Sequence, residues 1–253
     1  MLFFTDLDKT IVYSGYPEHY CVEYKETQEI TYITIEAKRL LDNLLKKDRF
    51  RMIPCTLRSF EQTKRIEFIT NELTPIIICD NGFSIYINGE LDKSWDIKMN
   101  SNIDKYPMSE TYKVIDDFIT ITNIPISQIK SNRDAFFTII FKNIIDANRF
   151  SDEIIGKVDL SLYKIEKQGR KLYIIHDFLD KVLALRYIVS LFPNEMFVTA
   201  GDSNVDLAFV KEGEIAILPR HSKLNINKAM KTKSKGIASG KEILEIINKL
   251  VQK

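Results

Sequence analysis

The sequence predicts an α/β fold with a doubly wound, parallel-sheet, Rossmann-like core and an inserted α+β unit. Short apolar runs alternate with amphipathic helical patterns near both ends of the chain, which is typical of parallel strands covered by helices on both faces. Between about residues 83 and 175 this alternation gives way to hairpin and turn signals. We therefore expect a core built from residues 1–82 and 176–253, and an insert over residues 83–175.

The core begins with a β-α-β-α-β pattern. Continuous apolar segments predict strands over residues 1–5, 51–55 and 75–79. Apolar residues at helical spacing predict helices over residues 35–47 and 60–69 between these strands.

The insert and the second part of the core complete the prediction. In the insert we expect an 84–87 strand with an Asn88-Gly89 turn, helices over 109–119 and 144–155, and strands over 135–141, 160–165 and 171–175. In the second part of the core we expect helices over 180–191, 207–210, 222–230 and 241–251, and strands over 195–200 and 214–218.

Composition excludes several classes of function. Lysine plus arginine total 36 and aspartate plus glutamate total 35 among 253 residues, so no global charge indicates nucleic acid or an anionic membrane as a partner. No apolar stretch approaches the ~20 residues that a bilayer crossing needs. The three cysteines, Cys21, Cys55 and Cys79, lack metal-ligand spacing and are expected to be reduced thiols. We expect a soluble cytoplasmic protein, and the sequence does not indicate its oligomeric state.

Two aspartates, Asp6 and Asp8, directly follow the first predicted strand. Two like charges ~4 Å apart at an effective dielectric near 20 repel by about 4 kcal/mol. A divalent cation relieves that repulsion, and oxygen ligands beside phosphate favour Mg²⁺. The alternative, which this pair alone leaves open, is an acidic turn after a strand.

Two further polar segments lie at predicted strand or helix ends. Thr56 and Arg58 follow the second strand, where a hydroxyl and a guanidinium could bind phosphate oxygens; alternatively Thr56 is a turn residue and Ser59 simply caps a helix. Lys181 lies at a predicted helix start, where its positive charge opposes the helix dipole. We therefore expect a compensating negative charge nearby, which Asp6 together with a bound phosphate would supply. The alternative for Lys181 is an ordinary surface lysine.

A fourth segment, Ala200-Gly201-Asp202-Ser203-Asn204-Val205-Asp206, lies at a strand-to-helix junction. Asp202 could complete a Mg²⁺ site. Asp206 could pair with Lys181 or, like Ser203, hydrogen-bond to the groups that bind the metal. A helix N-cap is the alternative for one aspartate, but it leaves the second carboxylate unexplained.

The joint arrangement of these four segments is more informative than any one of them. Their strand-end positions predict that they meet at one sheet edge, where open α/β sheets bind ligands. Together they offer a carboxylate nucleophile, a metal site, a hydroxyl donor and a cation, which phosphoryl transfer requires.

On these motifs the sequence resembles the haloacid dehalogenase superfamily of phosphatases. Asp6-Leu7-Asp8-Lys9-Thr10 is similar to its Asp-x-Asp-x-Thr motif, and Thr56 and Lys181 match its second and third motifs. Gly201-Asp202-Ser203-x-x-Asp206 resembles the acidic fourth motif. The insert, entered through Asn81-Gly82, is similar to the caps of the type IIB subgroup, which includes Cof-like, sucrose-phosphate and mannosyl-3-phosphoglycerate phosphatases.

The resemblance implies a Mg²⁺-dependent phosphatase acting on a small phosphorylated metabolite such as a sugar phosphate. Asp6 would form an aspartyl-phosphate, and Asp8 would protonate the leaving oxygen and then activate water. Thr56 and Lys181 would hold the phosphoryl group. Mg²⁺ would be bound by the Asp6 carboxylate, the Asp8 main-chain carbonyl and Asp202, and the cap would close over the substrate.

Two positions depart from the family pattern. Val205 occupies the place where the subgroup usually has asparagine, so the surroundings of Mg²⁺ would be weaker or completed by water. Lys9 stands where glycine is common; it would either bias substrate choice or point to solvent.

Other functions and contacts stay open at this stage. A phosphomutase or phosphotransferase would use an acceptor hydroxyl instead of water, and a catalytically weak regulatory homologue would only bind phosphate. The insert and the N-terminal place of Asp6 argue against a phospho-accepting receiver domain. Candidate substrate contacts in the insert are Trp95, Tyr106, Arg133 and Lys167, each of which could equally be structural.

Overall fold

A computed structural model describes residues 1–105 and 107–252 of the protein. The strands are β1 (Leu2–Thr5), β2 (Tyr20–Lys25), β3 (Gln28–Ile33), β4 (Arg51–Pro54), β5 (Ile76–Cys79), β6 (Ser84–Ile87), β7 (Glu90–Leu91), β8 (Ile126–Asn132), β9 (Phe136–Phe141), β10 (Tyr163–Gln168), β11 (Lys171–His176), β12 (Phe197–Ala200), β13 (Ile215–Leu218) and β14 (Met230–Lys231). The helices are α1 (Ile35–Leu45), α2 (Phe60–Thr63), α3 (Lys93–Ile103), α4 (Ser109–Thr122), α5 (Ile144–Ile154), α6 (Lys181–Ser190), α7 (Leu207–Glu212) and α8 (Ile237–Val251).

The central sheet is parallel and has β1 in its interior. Its strand order is β14-β13-β12-β1-β4, and all four strand pairs are parallel. The register places Thr5 opposite Ala200 on one side and Pro54 on the other. The residues that follow these three strands therefore leave the sheet at the same edge, which confirms the predicted doubly wound core.

Helices α1 and α8 pack their apolar faces against residues of this sheet. The Thr34 side chain caps α1 by accepting the Ala37 N–H at 3.1 Å. Leu41 and Leu44 of α1 are fully buried. They lie in one hydrophobic cluster with Phe3 of the sheet and Ile243 of α8. Burial of such side chains is the main source of stability in this part of the chain.

A small antiparallel sheet lies next to the central sheet. A parallel bridge from Cys55 to Ile78 links the end of β4 to β5, and β5, β6 and β7 form an antiparallel sheet. The turn between β6 and β7 uses Asn88 and Gly89, both at positive φ, as predicted from the Asn-Gly pair.

The described chain divides into two compact units. The first comprises Met1–Asp92 and Asp180–Lys253, and the second is Lys93–Leu179. The sequence places the ends of the insert at 83 and 175 instead. Residues 84–91 belong to the first unit because β6 pairs with β5, and β7 pairs with β6.

The second unit is an antiparallel sheet with its own core. Its strand order is β10-β11-β9-β8, and inward residues of β9, including Phe137, Ile139 and Phe141, alternate with Phe136 and Thr138 on the other face. Phe137, Ile139 and Phe141 lie in a cluster with buried residues of α4 and α5. This α+β arrangement agrees with the predicted class of the insert.

Two predicted helices are wrong. The helix predicted over 60–69 ends at Thr63, because the chain beyond it bonds to the β2–β3 hairpin through the Glu67 N–H and the Val22 carbonyl at 2.8 Å. The helix predicted over 222–230 does not form. There the Ser222 hydroxyl accepts the Leu224 N–H at 3.1 Å, and Lys228 has φ of 64°, both of which oppose a helix.

Among the described residues, none of the helices combines the length and the apolar composition that crossing a membrane would require.

Candidate active site

Asp6 follows an interior strand of the parallel sheet. It follows β1 directly, and its N–H donates to the Ala200 carbonyl at 2.9 Å, which extends the pairing with β12 by one residue. Its side chain is buried, and Oδ2 accepts a hydrogen bond from Thr10 Oγ1 at 3.3 Å. The sheet therefore fixes a carboxylate at its carboxyl edge, as the strand pattern predicted.

Lys181 is a buried cation between two carboxylates. Its Nζ donates to Asp6 Oδ1 at 2.9 Å and to Asp206 Oδ1 at 2.6 Å, and only 1% of its side chain is exposed. It is the first residue of α6, where the helix dipole disfavours a positive charge. The two carboxylates compensate that charge, so Lys181 is not an ordinary surface lysine.

Asp206 organises the loop after β12. Its Oδ2 accepts the N–H groups of Asp202 and Ser203 at 3.2 and 3.0 Å, and the Ser203 hydroxyl at 2.7 Å. Gly201 makes room for this arrangement, because a Cβ there would lie 2.6 Å from Asp206 Cβ. Glycine at position 201 thus has a steric reason.

The pKa values of the buried carboxyl groups reflect the density of negative charge. Burial and the neighbouring Asp206 raise the pKa of Asp6 well above its usual range, while Lys181 opposes the rise. Burial and Asp206 raise the pKa of Asp202 to about 7, and Lys9 and Lys181 lower it in part. Burial lowers the pKa of Lys181, but Asp206 and Asp6 outweigh it and hold that pKa above its ordinary value.

Carboxylate oxygens of Asp6, Asp202 and Asp206 lie within 4.8 Å of one another and could hold a metal ion. The set consists only of hard oxygen donors, which suit Mg²⁺ or Ca²⁺. Both oxygens of Asp206 already accept hydrogen bonds from the protein, whereas among residues 1–105 and 107–252 no hydrogen-bond donor contacts the Asp202 carboxylate. The donor set therefore fits a hard divalent cation.

Asp8 and Arg58 form a pair that spacing alone did not reveal. Arg58 Nε and Nη2 donate to Asp8 Oδ2 and Oδ1, both at 2.8 Å. The Arg58 Nη1 donates to Glu23 Oε2 at 2.8 Å. The structure therefore brings Arg58 to the predicted acid/base residue, and its use in holding phosphate stays a prediction.

Thr56 lies at the same sheet edge as Asp6. It is 1% exposed, and its Oγ1 accepts the Arg58 N–H at 3.1 Å. Ser59 caps α2 in a capping box with Gln62, so the prediction that Ser59 is a helix N-cap is confirmed. Thr56 follows β4, which is paired with the strand that leads to Asp6.

Lys9 adopts an unusual backbone conformation for a side-chain-bearing residue. Its φ is 62°, in the left-handed region that favours glycine. The Lys9 carbonyl is 2.9 Å from His221 Nε2, and the Gly236 N–H donates to His221 Nδ1 at 3.3 Å. The Gly236 contact leaves Nε2 as the protonated nitrogen, so His221 donates to the Lys9 carbonyl and holds the loop that follows Asp6.

Sequence reasoning missed Glu23 and His221. Glu23 lies on β2, which its own charge and that of Lys25 make unlike the continuously apolar strands of the core. The signal for His221 was Lys9 itself. A side-chain-bearing residue at a position where glycine is common must adopt a positive φ, and a neighbouring group must then stabilise that conformation.

The predicted substrate contacts of the insert lie in the second unit. Trp95 is buried in α3 beneath Lys98, Arg133 Nη2 donates to Asp96 at 2.6 Å, and Lys167 Nζ bonds to Asn148. Tyr106 lies outside the described residues.

Comparison with known proteins shows similarity in structure. No protein-family model and no curated protein sequence matches the chain. The structure is similar to the sucrose-phosphatase of Synechocystis, solved with sucrose and phosphate, at a TM-score of 0.63 and 14% identity, over 98% of this chain and 97% of that one.

Two further solved structures are similar along nearly their whole length. The C-terminal domain of trehalose-6-phosphate phosphatase from C. albicans gives a TM-score of 0.69 at 14% identity, over 98% of this chain and 92% of that one. A sugar phosphatase of haloacid dehalogenase subclass IIB gives 0.65 at 13% identity, over 98% of both chains. The protein therefore has the fold of the capped haloacid dehalogenase sugar phosphatases.

Proposed function

We propose that the protein is a Mg²⁺-dependent phosphatase that hydrolyses a small phosphorylated metabolite, of the sugar phosphate class, through an aspartyl-phosphate. The supporting observation is the buried Asp6–Lys181–Asp206 array beside Asp202, at the carboxyl edge of a parallel sheet. A buried lysine held by two carboxylates at a sheet edge supplies the charges that phosphoryl transfer needs.

The first step follows from the position of Asp6. A carboxylate oxygen of Asp6 forms a bond to phosphorus while the bond from phosphorus to the leaving oxygen breaks. Asp8 gives its proton to that oxygen, so the product alcohol leaves neutral. Lys181 and the Thr56 hydroxyl are assigned to the equatorial phosphoryl oxygens, where negative charge is highest.

The second step returns the enzyme to its starting state. A water oxygen bonds to phosphorus as the Asp6 oxygen–phosphorus bond breaks, and a water proton passes to Asp8. Inorganic phosphate leaves, and Asp8 is again protonated for the next turnover.

Asp6 and Asp202 are the proposed carboxylate ligands of Mg²⁺, with the Asp8 main-chain carbonyl as the third protein ligand. The cation would supply the positive charge that keeps Asp6 ionised and neutralises the phosphoryl oxygens. Asp206 and Ser203 support this site through the hydrogen bonds around Asp206. The Val205 side chain has no polar atom to offer the cation, so water is assigned to that place.

The sugar phosphate class is proposed because similar solved structures are named as phosphatases of sucrose phosphate and trehalose-6-phosphate. The insert over residues 83–175 is proposed to select the substrate.

The test is release of inorganic phosphate from a panel of sugar phosphates, with and without Mg²⁺ and with no added acceptor alcohol. The Asp6→Asn variant should fold and lose turnover by at least about a thousandfold, because an amide is a poor nucleophile. Asp116→Asn, an exposed aspartate of α4, is the matched control and should keep full activity. Near wild-type activity of Asp6→Asn would refute the assignment, and transfer to an added alcohol in place of phosphate release would indicate a phosphotransferase.

A further inference from the structure

Glu23 is a completely buried carboxylate that the proposed chemistry does not use. Its relative exposure is 0%, although it lies on the β2–β3 hairpin. Its Oε1 accepts from Arg65 Nη2 at 2.7 Å, and its Oε2 accepts from Arg58 Nη1 at 2.8 Å and from Thr31 Oγ1 at 3.0 Å. Hydrogen bonds to both oxygens fix the orientation of this buried carboxylate, because any other orientation would leave its charge without partners.

The charges around Glu23 do not cancel locally. One carboxylate faces two guanidinium groups, those of Arg58 and Arg65, so one positive charge is left over. Asp8 supplies the second carboxylate through its bidentate bond with Arg58. The Arg58 guanidinium thus spans a buried anion and the predicted acid/base residue.

Exposure shows which end of this chain of bonds is the anchor. The Glu23 side chain is 0% exposed, Arg58 12% and Asp8 51%. An exposed aspartate on a loop samples several rotamers unless a partner holds it. A planar guanidinium bonded to both carboxylate oxygens fixes the plane of that carboxylate.

We propose that Glu23 is a positioning residue that acts through Arg58 to hold the Asp8 carboxylate ready to take a proton from water. This inference rests on the proposed phosphatase function. Formation of the aspartyl-phosphate from p-nitrophenyl phosphate needs little help from Asp8, because p-nitrophenolate is a good leaving group that departs without a proton. Breakdown needs the Asp8 carboxylate placed where it can take a proton from water. Loss of the anchor therefore slows breakdown of the aspartyl-phosphate more than its formation.

The test measures both steps separately by rapid-quench kinetics with p-nitrophenyl phosphate and Mg²⁺. In Glu23→Gln the ratio of phosphoenzyme formation rate to breakdown rate should rise by about tenfold or more, which is a fraction of the roughly 10²–10⁴-fold that general-base catalysis contributes. Phosphoenzyme should then accumulate as a burst of nitrophenol that approaches one per active site. A merely structural role would instead lower the active fraction and leave this ratio unchanged.

Arg58→Lys is the second variant, because lysine keeps the charge but cannot bond both carboxylates in the same geometry. It should show the same change in ratio, and it decides the question if Glu23→Gln fails to fold. Arg65→Lys is the matched control, since Arg65 contacts Glu23 but among the described residues has no bond to Asp8.

The outcomes divide as follows. A raised ratio in Glu23→Gln, or in Arg58→Lys where Glu23→Gln does not fold, together with an unchanged ratio in Arg65→Lys, supports the inference. An unchanged ratio in folded Glu23→Gln or in folded Arg58→Lys, or an equal rise in all three variants, overturns it. Wild-type protein that releases no phosphate from any substrate would instead refute the proposed function itself.

Discussion

Raising the pH of the metal-free protein is expected to lower its free energy of unfolding, because buried carboxyl groups must then ionise without a cation. The pKa of Asp202 in the folded protein is about 7, against an ordinary 3.8. A folded pKa above the unfolded value means that the stabilisation is complete below the ordinary pKa. It is lost as the pH rises through about 7.

The size of the effect follows from this pKa. Between about pH 5 and about pH 8 the unfolded carboxyl stays ionised while the folded one titrates, which removes roughly 2 to 3 kcal/mol. For a chain of this length that corresponds to a fall in Tm of at least about 4 °C. Asp6, whose pKa is also raised, adds to the loss.

Two histidines change the free energy of unfolding in the opposite direction as the pH rises, so their contribution must be removed by comparison with a variant. Burial lowers the pKa of His176 to about 4 and also lowers that of His221, so both favour folding as the pH rises. The Asp202→Asn variant keeps both histidines and lacks the carboxyl. The quantity to measure is therefore the difference in free energy of unfolding between wild type and Asp202→Asn.

Urea unfolding in EDTA at a series of pH values gives this difference. Wild type should lose stability relative to Asp202→Asn as the pH rises, and Mg²⁺ at about pH 8 should restore wild type more than the variant, because a bound cation favours the ionised carboxylates. A difference that does not change with pH would refute the assignment of the pKa shift. Equal stabilisation of both proteins by Mg²⁺ would refute the metal site.

Three further changes probe the same region. Lys181→Met leaves the Asp6 and Asp206 carboxylates without their cation, so phosphate release should be abolished and urea unfolding should show a loss of about 3–5 kcal/mol; unchanged stability would contradict the buried ion pair. Gly201→Ala puts a Cβ 2.6 Å from Asp206 Cβ, and thermal unfolding should show a loss of about 1–3 kcal/mol. Lys9→Gly relieves a positive φ of 62° and should be more stable than Lys9→Ala by about 1 kcal/mol in urea unfolding; equal stability of those two variants would argue against backbone strain.

The parallel core was predictable because its signals are local. The Leu2–Thr5 strand is buried at every position, so it appears in the sequence as a short, largely apolar run. The β2–β3 hairpin was missed for the opposite reason. It has no continuous apolar run and carries charged residues such as Glu23, Lys25 and Glu29. Contacts with distant segments, such as that between Glu23 and Arg58, help to hold it.

The wrong helices show the limit of periodicity. Residues 64–69 have helical spacing, yet their backbone bonds to the hairpin at Val22, a partner that lies more than forty positions away in sequence. A local pattern describes which face of a segment is apolar, and it does not describe which backbone groups compete for its hydrogen bonds.

The sequence by itself determined which strand ends carry polar side chains, and so predicted that Asp6, Thr56 and Asp202 meet at one edge of the sheet. Only the tertiary structure decided how the charges pair there. Arg58 lies 50 positions from Asp8 and 35 from Glu23, and it bonds to both. Such pairing depends on the packing of separate elements and on the cost of leaving a buried charge unpaired, neither of which is written in the spacing of neighbouring residues.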